Sequence, residues 1–235
     1  TWRWAESAEV MMADRMAQGD ASVRRWYPRV VTLAAHKQPK LRAMTAWVMG
    51  QDNQSEEFHA ALLGMLNDSE PSVRWNAALA LVRFADASGR AQLRVMLRPY
   101  VLAAPQAGTL HYRLKEEDAV GDGSIVARLE ISLGQRVDVV SPLSGRVEQR
   151  IARDGAKVEA GAGVALLSPG EDQVWEALRA LYLVGTPEDL AAVENLPRVL
   201  PGISERLRQQ AAATAEAIRR RQDVSRGARQ RGSRH

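Results

Sequence analysis

The sequence predicts an α+β protein of several parts: an α-solenoid of repeated helix pairs into which a small all-β module is inserted. Three observations carry that expectation. The first hundred residues hold apolar positions at helical spacing, and one helix sequence returns after 32 residues. From Pro99 to Pro169 the chain turns to glycine, β-branched residues and period-two alternation. After Gly170 helical spacing resumes.

In the first part, Leu41, Met44, Thr45, Val48 and Met49 fall on one helix face, as do Leu62, Leu63 and Leu66, and then Val73, Ala77, Ala80, Leu81 and Phe84. The segments end at "GQDNQS", "NDSEP" and "ADASG", which carry the stop and start chemistry of helices. "PKLRAMTAWVMG" lies over "PSVRWNAALALV" at offset 32, so that Pro39 meets Pro71, Arg42 meets Arg74 and Met49 meets Leu81. A weaker copy starts at "DASVRRW" with Asp20, Val23 and Arg24. A helix pair cannot cover its own apolar face, so a two-helix repeat of about 30 residues implies stacking. Trp47 aligns with Leu79 and is expected in the core, whereas Trp75 sits off the stripe; it is either a partner contact or packed on the next repeat.

The strands are expected in "GTLHYRL", "RVDVV" and "GRVEQRI". This region also repeats: Pro105 lies on Pro142 and Gly108 on Gly145 at offset 37, then Val120 on Val158 and Gly123 on Gly161 at offset 38. Gly123 and Gly161 are expected at positive φ in tight hairpins. In the last part, Val174, Leu178, Leu181 and Tyr182 share a face, Thr186 caps "PEDLAAVENL" and Ser204 caps "ERLRQQAAATAEAIRRR". The expected bounds are helical repeats over 1–98, the β module over 99–170, a completing helical repeat over 171–222 and a basic, flexible tail over 223–235. From Arg219 to His235 there are seven arginines against Asp223 alone, and without this tail the body is close to neutral.

The repeated "D/P-x-x-V-R-x-x-A-x-x-A-L", clearest in "NDSEPSVRWNAALALVRFAD", resembles HEAT repeats, in particular the short repeats of phycobilisome-lyase type found in bacterial proteins. The resemblance implies a curved scaffold that binds macromolecules. It also implies that Arg24, Arg42 and Arg74 make internal bonds between repeats. The two copies of "[AS]-P-x-x-G … D-x-x-V-x-x-G-x-x-[VL]" resemble the halves of a biotinyl/lipoyl domain, the barrel-sandwich hybrid also present in membrane-fusion adaptors. The resemblance covers residues 102–168. In that family a hairpin tip between the halves carries the modified lysine. Here the position falls on Gly134, within "SLGQ", and no lysine occurs between Lys115 and Lys157. Attachment of biotin or lipoate therefore lacks its amine, and the tip is left to touch a partner through Leu133, Gly134 and Gln135.

Absence of cysteine removes disulfides, thiolate catalysis and cysteine-held metal. Glu56 and Glu57 near His59 make too weak a cluster for a metal, and an exposed loop histidine is expected there. His36, His111 and His235 stand alone. The Glu116, Glu117 and Asp118 run is expected to face solvent, and no phosphate loop, dinucleotide fingerprint or nucleophile elbow occurs. No catalytic residue, cofactor, metal or small-molecule substrate is expected. The leading functional expectation is a non-enzymatic scaffold or accessory subunit of a larger, membrane-associated bacterial complex, whose partners are other protein subunits. A periplasmic adaptor-like part of a transport or secretion system and a HEAT-type nucleic-acid binder stand as alternatives. The chain starts at Thr1, which leaves room for a removed anchor, and a place at a membrane on the periplasmic side is expected over the free cytoplasm.

Overall fold

The structure, a computed structural model, describes residues 10–16, 18–131 and 134–232, the last eight of these as helix backbone only. Within those residues the chain is α+β. The helices are α1 (10–16), α2 (Tyr27–Leu33), α3 (Pro39–Met49), α4 (Glu56–Met65), α5 (Pro71–Arg83) and α6 (Arg90–Val95), followed after the strands by α7 (Glu171–Val184), α8 (Leu190–Glu194), α9 (Leu196–Val199) and α10 (Glu205–Gly232). The contacts divide into two compact units. The helical unit takes residues 1–95, 176–194 and 210–235, and the β unit takes 96–175 and 195–209.

In the helical unit α3 and α5 each start with proline at the first helical position, where a missing N–H costs nothing. Ser55 caps α4 through the Phe58 N–H, and Thr186 with Asp189 forms a capping box ahead of α8. Val48 and Met49 of α3, Phe58 and Leu62 of α4, and Val73, Ala77 and Leu81 of α5 are buried in one core. Tyr27 and Phe58 stack with ring centroids 4.2 Å apart.

Between the helices, aspartates do two things at once. Asp20, Asp52, Asp68 and Asp86 each accept the backbone N–H two residues on, from Ser22, Gln54, Glu70 and Ser88 respectively, which sets the turn. Each also meets a basic side chain. Arg15 reaches Asp20, Arg24 lies 3.6 Å from Asp52, Arg42 donates twice at 2.7 Å to Asp68, and His59 lies 2.7 Å from Asp86. Arg74 instead donates to the carbonyls of Asp68 and Ser69. The recurring arginines thus bond internally. His59 lies in a helix, stacks on Phe84 and faces Asp86 rather than Glu56 and Glu57, which corrects the loop reading.

The carboxylate at Asp189 is fully buried. It receives the Thr186 N–H at 2.8 Å, Arg90 at 3.2 Å and a short bond from Arg94. Burial alone would raise its pKa, but the Thr186 N–H and the two guanidiniums outweigh that and hold it below the ordinary carboxylate range. Arg42 holds Asp68 low in the same direction.

The β unit contains β1 (Tyr100–Ala103), β2 (Gly108–Tyr112), β3 (Ala119–Val120), β4 (Ile125–Glu130), β5 (Arg136–Val140), β6 (Gly145–Arg150), β7 (Lys157–Val158) and β8 (Gly163–Pro169). They form two antiparallel four-stranded sheets, β1-β8-β6-β3 and β5-β4-β2-β7, with no closed barrel of hydrogen bonds. Exchanging each strand for the one four places along converts the first order into the second. The sequence repeat is therefore a structural one.

The equivalence reaches single residues. Val126, Ala127 and Leu129 in β4 match Val164, Ala165 and Leu167 in β8, all buried, and Leu110 matches buried Val147. A register shift between Ile125 and Ala127 against β5 recurs where Gly163 and Ala165 meet β1. Gly123 donates its N–H to the Ser141 carbonyl as Gly161 does to Ala104, both at 2.8 Å, and both glycines have positive φ near 80°. One equivalent pair differs: Gly155 at φ 79° stands where the first half has Glu117 at φ 70°. A side chain in that conformation costs roughly 1–2 kcal/mol.

Two predictions follow from these bonds. Glu117→Gly should raise the unfolding free energy by about 0.5 kcal/mol, the strain relieved less the entropy glycine adds, and Gly155→Ala should lower it by about 1 kcal/mol, as read by urea titration. Asp189→Asn should cost about 3–5 kcal/mol because two guanidiniums lose their carboxylate. A depressed native pKa gives stability that is present above the unfolded carboxyl value of about 4 and is lost as pH falls through the native value. The variant's stability should therefore decline less steeply than the parent's below about pH 5 in acid titrations of thermal unfolding.

Candidate functional site

Two places deserve weight as surfaces for a partner: the turn between β4 and β5 in the β unit, and a groove in the helical unit. In the first, Gly134 is exposed with φ +73°, Gln135 is exposed, and the Ile131 N–H donates to the Gln135 carbonyl at 2.8 Å, which closes the turn. Leu133 lies outside the described residues. A Cβ built on Gly134 would meet no heavy atom within 4 Å, so the position is open space and carries no amine. Beside the turn, Gly108, Glu130, Ile131, Lys157 and Glu159 line a shallow hollow of about 450 Å³. His111 lies 3.5 Å from Glu130 on the adjoining strand face.

The acidic run near the other hairpin is spent within the unit. Glu116 accepts the Arg150 N–H, Glu117 pairs with Arg146 at 3.0 Å, and Asp118 accepts the Lys115 N–H. Among the described residues no three His, Cys, Asp or Glu side chains gather as they would around a metal ion.

Burial decides between the two readings left open for Trp75, against a partner contact, and the exposure of Trp47 corrects the core position expected for it. Trp75 is 5% exposed and packs in the core, so it offers no surface to a partner, while Trp47 is 44% exposed. Tyr182, expected on the buried face of α7, is 44% exposed as well. The reason is that α5 is covered on several sides, by α3, α4 and α6, so its buried residues extend round the helix to Trp75. At offset 32 Trp75 falls on buried Ala43, and Trp47 falls on half-buried Leu79.

Trp47 and Leu79 belong to a groove of about 490 Å³ within the helical unit, lined from α3, α5 and α7. Val82, Ala180 and Leu183 add apolar wall, and Arg83, Glu176 and Arg179 add charge. Arg83 donates to Gln51 Oε1 at 2.7 Å, a bond between residues one repeat apart. The sequence reading missed this groove. Its signal was present in the pairs Trp47 with Leu79 and Gln51 with Arg83, both at offset 32.

The basic end of the chain is different from the flexible tail expected over 223–235, since α10 runs on to Gly232. Arg219 pairs with Glu194, Arg220 with Glu216, and Arg221 donates to the carbonyls of Leu181, Tyr182 and Gly185 at the end of α7.

Residues 28–99 match the family of HEAT repeats. The matched segment takes in α2 to α6 and contains Trp47, Leu79 and Arg83 of the groove. HEAT repeats suggest a scaffold for protein interaction, through the extended surfaces that stacked helix pairs create. No curated protein matches the chain. Among solved structures, one described as a single-chain, multi-domain long-chain acyl-CoA carboxylase is similar at 20% identity and a TM-score of 0.29, over 41% of this chain and 10% of that one. This chain therefore spans a tenth of that structure.

The contrast between the two tryptophans is measurable. Trp75→Ala should lower the unfolding free energy by about 3–5 kcal/mol, as for a large core side chain. Trp47→Ala should cost under about 1 kcal/mol in the same denaturant titration.

Proposed function

We propose that this protein is a non-enzymatic interaction scaffold or accessory subunit, whose helical unit holds a segment of a partner protein and whose β unit is a barrel-sandwich hybrid that has no carrier lysine. The observation that carries the proposal is the state of the repeat helices. Their recurrent polar groups, Arg42, Arg74 and Asp68, are occupied with one another and with turn carbonyls, while an apolar groove stays open beside them. Residues kept for architecture and a surface kept open suit holding rather than turnover.

The strand exchange between the two sheets supports the hybrid reading of the β unit, and so does the neighbouring of β1 and β8, which brings the ends of the module together as an insertion into a solenoid requires. Carriage of an acyl or carboxyl group needs a nucleophilic amine at the β4–β5 turn, and Gly134 supplies none. Nucleic-acid binding is the weaker reading, since Arg219, Arg220 and Arg221 are engaged by acids and helix-end carbonyls. No helix among the described residues is long and apolar enough to cross a membrane.

Affinity purification of the full chain from its native host is the test. A reproducible, stoichiometric protein partner is expected, and recovery of the isolated monomer alone would overturn the proposal. Intact-mass measurement should give the unmodified chain, whereas a biotinyl or lipoyl adduct would overturn the reading of the β unit.

A further inference from the structure

We infer that the groove of α3, α5 and α7 takes an acidic amphipathic segment of a partner protein, with apolar side chains on Trp47, Leu79 and Leu183 and a carboxylate on Arg83. The inference rests on the scaffold reading and names the chemistry of what is held.

The apolar part of the argument is exposure. Trp47 is 44% and Leu183 62% exposed, and both line the same cleft with half-buried Leu79 between α3 and α7. An exposed indole flanked by leucines is the composition of an interface anchor, and a helix laid into such a cleft is a recurrent way of binding a peptide. The volume of about 490 Å³ suits a few apolar side chains rather than a whole domain.

Charge selects the occupant. Arg42, Arg90 and Arg94 in this unit each have a carboxylate at hydrogen-bond distance. Arg83, on the groove, is exposed and donates to the neutral Gln51 amide, with no carboxylate within 4.0 Å among the described residues. Arg179 has only the exposed Glu176 at 3.9 Å on its own helix. The groove therefore presents two guanidiniums against one loosely placed carboxylate. A partner carboxylate completes the set by a charge-assisted, two-point hydrogen bond, which a basic or neutral apolar segment cannot do.

The probe is a fluorescein-labelled 18-residue helical peptide with leucines at i, i+3, i+4 and i+7 and glutamates on its polar face, compared with the same peptide carrying lysines. Anisotropy titration of the full chain should show the glutamate peptide bound at least tenfold more tightly. Arg83→Glu should remove that preference or invert it, and Leu183→Asp should weaken both peptides at least tenfold. Arg153→Glu, which makes the same charge change on an exposed residue of the β unit, should leave the ratio unchanged. Unfolding midpoints of the variants within a few degrees of the parent confirm that they fold.

Equal affinity for the two peptides overturns the inference, and so does an Arg153→Glu effect equal to that of Arg83→Glu, which would reduce binding to net charge. A dimer in sedimentation that Leu183→Asp dissolves would assign the groove to a second copy, and co-flotation with anionic vesicles lost in Arg83→Glu would assign it to a lipid surface; each overturns the inference. Recovery of a stable cellular partner whose binding ignores Arg83→Glu and Leu183→Asp would overturn the groove assignment while leaving the scaffold reading intact. Absence of any cellular partner would remove that reading as well.

Discussion

The helical unit depends on one buried carboxylate. Its chain leaves after Val95 and returns at Glu176, so the two stretches have no covalent reason to stay together. Arg90 and Arg94 lie just before the departure and Asp189 just after the return. With Asp189 fully buried, the cost of taking its charge from water is met by the Thr186 N–H and two guanidiniums, and an arrangement that separates the stretches loses both guanidiniums. The same residue completes the capping box that starts the chain toward α8. Arg221 of α10 then fastens the C-terminal end of α7 by its terminal carbonyls, and Thr214 of α10 donates to the Leu178 carbonyl of α7. The wall that Ala180 and Leu183 lend to the groove follows from these three fastenings.

In the β unit the constraint is duplication. Equivalent positions in the two halves agree where a side chain is buried or a backbone N–H closes a turn, and disagree where the surface is open. Leu102 answers Val139 and Val120 answers Val158, all within the core, while exposed Glu130 answers half-buried Ser168. Glu117 against Gly155 is an exception on the backbone side. The first half keeps a left-handed residue that glycine would hold with less strain, and its carboxylate pairs with Arg146 on the neighbouring strand.

Much of this was legible in the chain because periodicity and turn chemistry act locally. Helix starts at Pro39, Pro71, Thr186 and Ser204, positive φ at Gly123 and Gly161, and the internal offsets all follow from residues near one another in sequence. The failures are of another kind. Trp75 is buried because helices pack on several sides of α5, a fact of stacking that a single helical wheel does not contain. Trp47 is exposed because its repeat position lies on the groove side, where Leu79 is already half open. The Asp189 pairing spans 95 and 99 residues, with strands β1 to β8 between, and no spacing rule reaches that far. Part of the groove was nevertheless written in the repeat, since 47 with 79 and 51 with 83 share its register.

The symmetry of the β unit also says where its one free end is. Under the exchange of strands the β4-to-β5 connection corresponds to the step from β8 to β1, which is the place where the chain leaves and enters the unit. One of two equivalent ends is thus occupied by the chain's own passage, between Arg98 and Gly170, and the turn at Gly134 is left as the unencumbered one. Among the described residues that turn and its hollow present Gln135, the backbone of Gly134, half-buried Ile131, and the charges of Glu130, Lys157 and Glu159. Among the described residues these groups supply hydrogen bonds and a small apolar surface, and Gly134 carries no amine.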